Sequence, residues 1–318
     1  MKIRLTQIDG KLPNLALMKL AHWHKAKGDD IHFSRSIERE LFEPDYDAVY
    51  ASTIFKFSQP KVERFKQQWP GAIVGGTGED TSQTIEQITG PYENYDYSLY
   101  PDFKASIGFT QRGCRLKCKF CVVPSKEGKN KFSNVIDDIW RGGDYPKHLY
   151  LLDNDFFGQP DWRDRIEEIR DGNFKVCLNQ GINVRLINKE AAEALASVDY
   201  RDDQFKTKRI YTAWDNIGDE KIFFKGIKLL EDAGISPKNI MAYMLVGYAK
   251  GETMGDVLTR FNKMNDREIM AYPMVFDKTN RELSIFQRWV IRRYYKVTSF
   301  AEYSTNFKPV DDNQGVLI

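Results

Sequence analysis

The sequence predicts an α/β protein in two parts: a small Rossmann-like domain over residues 1–90, then a partial (β/α)6 barrel over residues 104–295. Three observations predict it. Short β-rich runs alternate with runs of helical period along nearly the whole chain. Each strand–helix–strand passage implies parallel pairing through a crossover. The second series holds six such units, fewer than the eight of a closed barrel, so an open, partial barrel is expected.

The first series starts with a strand over Lys2–Ile8. Asn14–Lys27 carries Leu15, Met18, Leu20 and Ala21 at helical spacing, and Gly28 can cap it. Asp30–Ser34 and Ala48–Phe55 read as strands, and Gln59–Trp69 as a helix with Val62, Phe65 and Trp69 on one face. Ala72–Val74 is a short strand running into Gly75-Gly76-Thr77-Gly78, either a tight turn or a loop that could cradle a phosphate. Residues 91–103, PYENYDYSLYPDF, lack periodicity and read as a linker packed on a surface.

In the second series, strands are expected at Ala105–Thr110, His148–Asp153, Lys175–Asn179, Arg209–Trp214, Ile240–Gly247 and Ile269–Phe276. The helices between and after them fall at Asn134–Arg141, Asp161–Asp171, Lys189–Val198, Asp219–Ala233, Thr253–Met264 and Leu283–Tyr295. Ala233-Gly234 supplies a helix stop. Residues 296–318 form a C-terminal tail that could cover a barrel end.

The chain has 318 residues, 42% of them hydrophobic, ample for a sizeable core. A formal charge of +2 argues by itself for neither nucleic acid nor membrane. No apolar run approaches the roughly 18 residues that span a bilayer, and the N-terminus has no apolar stretch before a cleavage site. A cytoplasmic protein without membrane contact is the expectation. Of four cysteines, three sit within eight residues, which cannot staple distant loops. A metal site in a reducing compartment suits them better than disulfides.

Those three lie in Gly113-Cys114-Arg-Leu-Lys-Cys118-Lys-Phe120-Cys121, just after the first strand of the second series. Strand C-termini carry the active site in β/α barrels. A [4Fe–4S] cube normally takes four cysteines; three leave one iron open to a small ligand. Cys-x3-Cys-x2-Cys with an aromatic before the last cysteine, after a strand and ahead of further β/α units, resembles the signature loop of the radical S-adenosylmethionine (SAM) superfamily. The resemblance covers about residues 104–280 and makes the expected barrel a radical SAM barrel. It implies that Cys114, Cys118 and Cys121 hold the cluster, whose open iron binds SAM and whose electron splits the S–C5′ bond, giving a 5′-deoxyadenosyl radical that abstracts hydrogen from a substrate. The same cysteines also fit a structural zinc site with His148 or Cys177 as fourth ligand.

The resemblance implies SAM contacts at the strand ends. After the second strand, Leu152-Asp153-Asn154-Asp155-Phe156 replaces the family's usual Gly-Gly-Glu, and Asp153 and Asn154 would accept from the SAM amino group or form a turn. After the third, Gln180 and Arg185 would face the pocket, with Arg185 on the SAM carboxylate or on the surface. Asp215 and Asn216 after the fourth offer a ribose or substrate site. Gly247 after the fifth would let the backbone approach adenosine, and Phe120 would offer its backbone to adenine. Cys177, between Val176 and Leu178, reads as a buried inert thiol or as a hydrogen donor to a substrate radical.

A Rossmann-like domain ahead of the barrel is similar to two branches of the superfamily. The cobalamin-dependent branch often ligates cobalt through Asp-x-His-x-x-Gly, which is absent; His22, His24 and His32 are the histidines of this domain. Cobalamin stays possible without that motif. The methylthiotransferases carry three further cysteines in this domain, and none precedes Cys114.

The cysteine loop is basic, with Arg112, Arg115, Lys117, Lys119, Lys126, Lys129 and Lys131. It reads as a solvated loop, or as a dock for an anionic substrate or an acidic electron donor such as flavodoxin or ferredoxin. Gln287-Arg288-Trp289…Arg292-Arg293-Tyr294-Tyr295 mixes bases and aromatics, as a nucleic-acid surface or an amphipathic covering helix would.

Overall fold

A computed structural model describes residues 1–90, 92, 94–129 and 131–306. The alternation of the sequence resolves there into parallel sheets with helices packed on them, an α/β fold in two units, the first ending at Ala105 and the second beginning at Ser106.

The first unit runs β1 (Lys2–Gln7), α1 (Leu15–Ala26), β2 (Asp30–Ser34), β3 (Ala48–Ser52), α2 (Gln59–Gln68), β4 (Ile73–Gly75) and α3 (Glu86–Thr89). Its sheet has the order β2-β1-β3-β4, all parallel. Asn14 caps α1 by accepting from the Leu17 N–H at 3.2 Å, which satisfies a donor with no partner inside the helix. Ile3 and Leu5 of β1 are buried against Leu17, Leu20 and Ala21 of α1. Val62, Phe65 and Trp69 close over Ala51 and Val74. Each such aliphatic or aromatic side chain contributes about 1.5–3 kcal/mol by leaving water.

The stretch read as a linker packed on a surface does pack on the first unit. The Tyr100 side chain is buried in the first unit, where its hydroxyl donates to Gln7 Oε1 at 2.9 Å and accepts from the Asn14 N–H at 3.1 Å. Positions 91 and 93 of that stretch lie outside the described residues.

The second unit begins with β5 (Ser106–Gly108), β6 (Gln111–Arg112), α4 (Val123–Lys126), β7 (Lys131–Phe132) and α5 (Ile136–Ile139). It continues with β8 (His148–Leu151), α6 (Trp162–Asp171), β9 (Lys175–Leu178), α7 (Lys189–Ala196), β10 (Asp199–Tyr200), β11 (Ile210–Ala213) and α8 (Glu220–Asp232). It ends with β12 (Ile240–Val246), α9 (Met254–Asp266), β13 (Met270–Val275), α10 (Arg281–Ile291) and α11 (Phe300–Asn306). The parallel sheets are β10-β9-β8-β5 and β11-β12-β13. Just past β9 the chain runs against β11, with the Ile182 N–H donating to Tyr211 O at 2.8 Å and Thr212 Oγ1 to Ile182 O at 3.0 Å.

Side chains alternate across these strands. Leu149, Leu151, Val176, Leu178, Ala242, Met244 and Val246 join the helices in one core. Tyr150 and Cys177 are register partners on the other face, as are Tyr211 and Met241. Tyr211 stacks on Tyr243 with centroids 5.9 Å apart, and Tyr243 meets Tyr272 edge-on at 5.8 Å.

Three details depart from the expectation. The helix predicted over Asn134–Arg141 is one turn, Ile136–Ile139, because only Ile136 and Ile139 give it a buried face and Gly142, at φ +97°, breaks the backbone. The β6–β7 hairpin and β10 are additional. The tail contributes α11, and positions 307–318 lie outside the described residues.

Candidate functional site

A pocket of about 130 Å³ opens at the C-terminal ends of β5, β8, β9 and β11. Cys114, Cys118, Cys121, Leu116 and Phe120 line one side; Asn154, Gln180–Arg185, Thr212, Ala213 and Asp215 line the rest. All three thiols are half-buried and free of disulfides. Burial pushes the Cys114 and Cys121 thiols up from their ordinary range, because it penalises the thiolate.

Buried carboxylates hold the cysteine loop. Glu127 Oε2 accepts from the Gly113 N–H at 3.0 Å and from Asn154 Nδ2 at 3.1 Å, while Oε1 takes Arg112 Nη2 at 3.2 Å. Asp155 Oδ2 accepts from the Arg115 N–H at 3.1 Å and from its Nε at 2.7 Å, and Oδ1 from its Nη2 at 3.0 Å. Gly113 sits at φ +86°, and a Cβ there would lie 2.3 Å from Lys129 O, so only glycine lets the loop close on the segment before β7.

The sequence-predicted contacts separate into two groups. Asn154, Gln180, Arg185, Asp215 and Phe120 do come together with the cysteines. The Arg185 guanidinium lies between Cys118 Sγ, 3.8 Å from Nη2, and Asp219 Oδ2, 2.9 Å from Nη1. Asp215 Oδ1 accepts from the Leu245 N–H at 3.0 Å, and burial pushes its carboxyl up. Phe120 is 39% exposed, its ring edge-on to Tyr248 at 5.3 Å.

Asp153 and Gly247 are placed elsewhere. Asp153 is buried and does not line the pocket; its carboxylate accepts from the Thr110 N–H at 2.8 Å and from the Thr110 hydroxyl, tying the ends of β5 and β8 together. The Gly247 N–H donates to Glu252 Oε2 at 2.7 Å, so it is not free for a ligand. Asn216 accepts from the Gly218 N–H at 2.8 Å and serves a turn.

Sequence reasoning missed Glu127, Asn183 and Asp219. Glu127 carried a signal, a lone acid among Lys126, Lys129 and Lys131. It also missed Arg260, fully buried, which donates to Trp214 O at 2.9 Å and Leu245 O at 3.0 Å and pairs with Glu252, bracing the loops beside Asp215.

Among the described residues, no group of three or more His, Cys, Asp or Glu is gathered tightly enough to hold a single metal ion. The fourth ligands considered for zinc stand apart. His148 stacks on Phe205 with centroids 4.4 Å apart, and Cys177 is fully buried, its thiol pushed up by burial; neither lines the pocket.

The chain matched no protein-family model, no curated protein and no solved structure.

In the first unit, His24 Nδ1 meets Asp29 Oδ2 at 2.7 Å, His22 bonds the Tyr92 hydroxyl, and His32 Nε2 lies 3.5 Å from Glu43 Oε1. The glycine loop after β4 is packed by the chain itself: Thr53 O and Phe55 O occupy the space that a Cβ at Gly76 or Gly78 would need. No helix among the described residues is long and apolar enough to cross a membrane.

Proposed function

We propose that this protein is a radical SAM enzyme, with the strands of the second unit forming an open, partial (β/α)6 barrel and the first unit a Rossmann-like domain. The observation that carries the reading is the convergence of Cys114, Cys118 and Cys121 on one pocket with Arg185 and Asp215, at the C-terminal ends of parallel strands. Ligands enter α/β folds at those ends. A [4Fe–4S] cube is wider than an ion, so its thiolates need to surround a space rather than meet at a point. Three half-buried thiols on one loop line a shared pocket of that kind, and neither His148 nor Cys177 stands beside them as a fourth zinc ligand.

Cys114, Cys118 and Cys121 would hold the cluster, which when bound would supply the electron for reductive cleavage of SAM and so the radical chemistry on a substrate. The chain's own residues do the rest. Arg185, beside Cys118, offers its guanidinium to the SAM carboxylate while Asp219 fixes its orientation. Gln180, exposed in the pocket, and Asp215, held by Leu245, present acceptors to the amino group or the ribose hydroxyls. Leu116, Ile182 and Val184 keep the walls apolar and exclude water from a reactive radical. Lys117, Lys119, Lys129 and Lys131 are exposed and form no ion pair among the described residues, a basic face suited to an acidic electron donor of the flavodoxin or ferredoxin type.

Anaerobic reconstitution with iron and sulfide, followed by dithionite and SAM, tests the assignment. The wild type should take up iron and release 5′-deoxyadenosine, and each single change Cys114→Ala, Cys118→Ala or Cys121→Ala should abolish the release while circular dichroism stays unchanged. Cleavage retained in all three variants would overturn it.

A further inference from the structure

We propose that Asp155 and Glu127 are positioning residues that clamp the cysteine loop and hold down the reduction potential of the cluster bound there; the inference rests on the radical SAM reading above. The two peptide N–H groups flanking Cys114, those of Gly113 and Arg115, are each captured by a buried carboxylate, Glu127 at 3.0 Å and Asp155 at 3.1 Å. N–H groups near a cluster ordinarily donate to its sulfurs, spread the added electron and raise the potential. Here both are engaged by anions. The Glu127 and Asp155 side chains are 8% and 1% exposed, so their charges act on the loop with little screening from water.

The clamp also joins elements that carry different parts of the site. Glu127 follows α4 and reaches Asn154, which lines the pocket after β8. Asp155 lies past β8 and closes a bidentate pair on the Arg115 guanidinium, with Nε at 2.7 Å and Nη2 at 3.0 Å. That pair neutralises a cation one residue from Cys114. An amide in place of Asp155 keeps an acceptor for the Arg115 N–H but removes the negative charge and leaves the guanidinium uncompensated. Added negative charge on a cluster is then better tolerated, and its potential moves in the positive direction. Removal of the guanidinium has the opposite sign.

The test is a redox titration of the reconstituted protein followed by electron paramagnetic resonance, with iron counted per chain. Asp155→Asn and Glu127→Gln should hold iron like the wild type and titrate at a more positive potential; Arg115→Gln should titrate at a more negative one. Asp155→Ala should also lose iron several-fold faster to a chelator, with Asp155→Asn intermediate. Asp232→Asn, on the exposed end of α8, serves as the control and should leave the potential unchanged. Wild-type potentials in Asp155→Asn, Glu127→Gln and Arg115→Gln, or shifts of one sign in all three, would overturn the inference and leave the reading of the cysteines standing. A wild type that takes up no iron would overturn both.

Discussion

Asp153 has its carboxyl pushed up to about 7, because burial outweighs the Thr110 and Gln111 groups that favour its charged form. The unfolded carboxyl ionises near 4, so between about pH 4 and 7 the native state binds more protons than the unfolded one. Stability attached to this residue is therefore fully present below that window and is lost as pH rises through it. Asp153→Asn removes the titration while keeping an acceptor for the Thr110 N–H. The urea midpoint of the wild type relative to that variant should be higher at about pH 4.5 than at about pH 8. An equal gap at both pH values would show that Asp153 is ionised throughout. The residue also marks a limit of sequence reasoning. A polar residue at a strand end is visible in the chain, but whether it meets a ligand or the backbone of Thr110 depends on where β5 ends, two residues before Thr110.

Elements were legible where burial imposes a period. All six strands expected in the second unit are present, each within one or two residues of its predicted bounds, since Leu149, Leu151, Val176, Leu178, Ala242 and Met244 must alternate to face the helices. The β6–β7 hairpin was illegible for the opposite reason: two strands of two residues, Gln111–Arg112 and Lys131–Phe132, carry no period and find each other across the cysteine loop. The pattern around α10 admitted two meanings, and its apolar rings follow the packing one. Phe286 and Trp289 are 0% and 4% exposed, and Trp289 Nε1 donates to Thr298 O at 3.0 Å. These rings cover the core, as an amphipathic covering helix would, while Arg292, Arg293 and Tyr294 stay exposed. Phe286→Ala should cost about 3–5 kcal/mol, whereas exposed Arg292→Ala should stay within about 0.5 kcal/mol. Urea unfolding of the two variants compares them directly, and a Phe286→Ala loss near that of Arg292→Ala would contradict the packing. The same reasoning applies to Gly113, where alanine meets Lys129 O and adopts a left-handed backbone costing about 1–3 kcal/mol. Gly113→Ala should lower the urea midpoint and speed cleavage by trypsin in the basic loop, and an unchanged cleavage rate would mean that the loop has room to shift.

Across the whole molecule the charges nearly cancel, at +2 for 318 residues, yet their arrangement is uneven around the site. Three acids near the cysteines are paired: Glu127 with Arg112, Asp155 with Arg115, Asp219 with Arg185. Lys117, Lys119, Lys129 and Lys131 face outward without ion-pair partners among the described residues. A field of one sign on such a face acts over roughly a Debye length, about 10 Å at 0.1 M salt, and steers partners of opposite charge during approach. Reduction by an acidic flavodoxin-type protein should therefore slow as salt rises. Lys117→Glu with Lys119→Glu should slow it further, by about 10-fold or more at low salt, and should flatten the salt dependence. Dithionite, a small reductant that needs no protein dock, should reduce the variant as fast as the wild type, which separates lost docking from a damaged loop. Stopped-flow reduction at several ionic strengths measures all of this, and equal rates for the two proteins with the acidic donor at low salt would remove the lysine face from the electron-entry route.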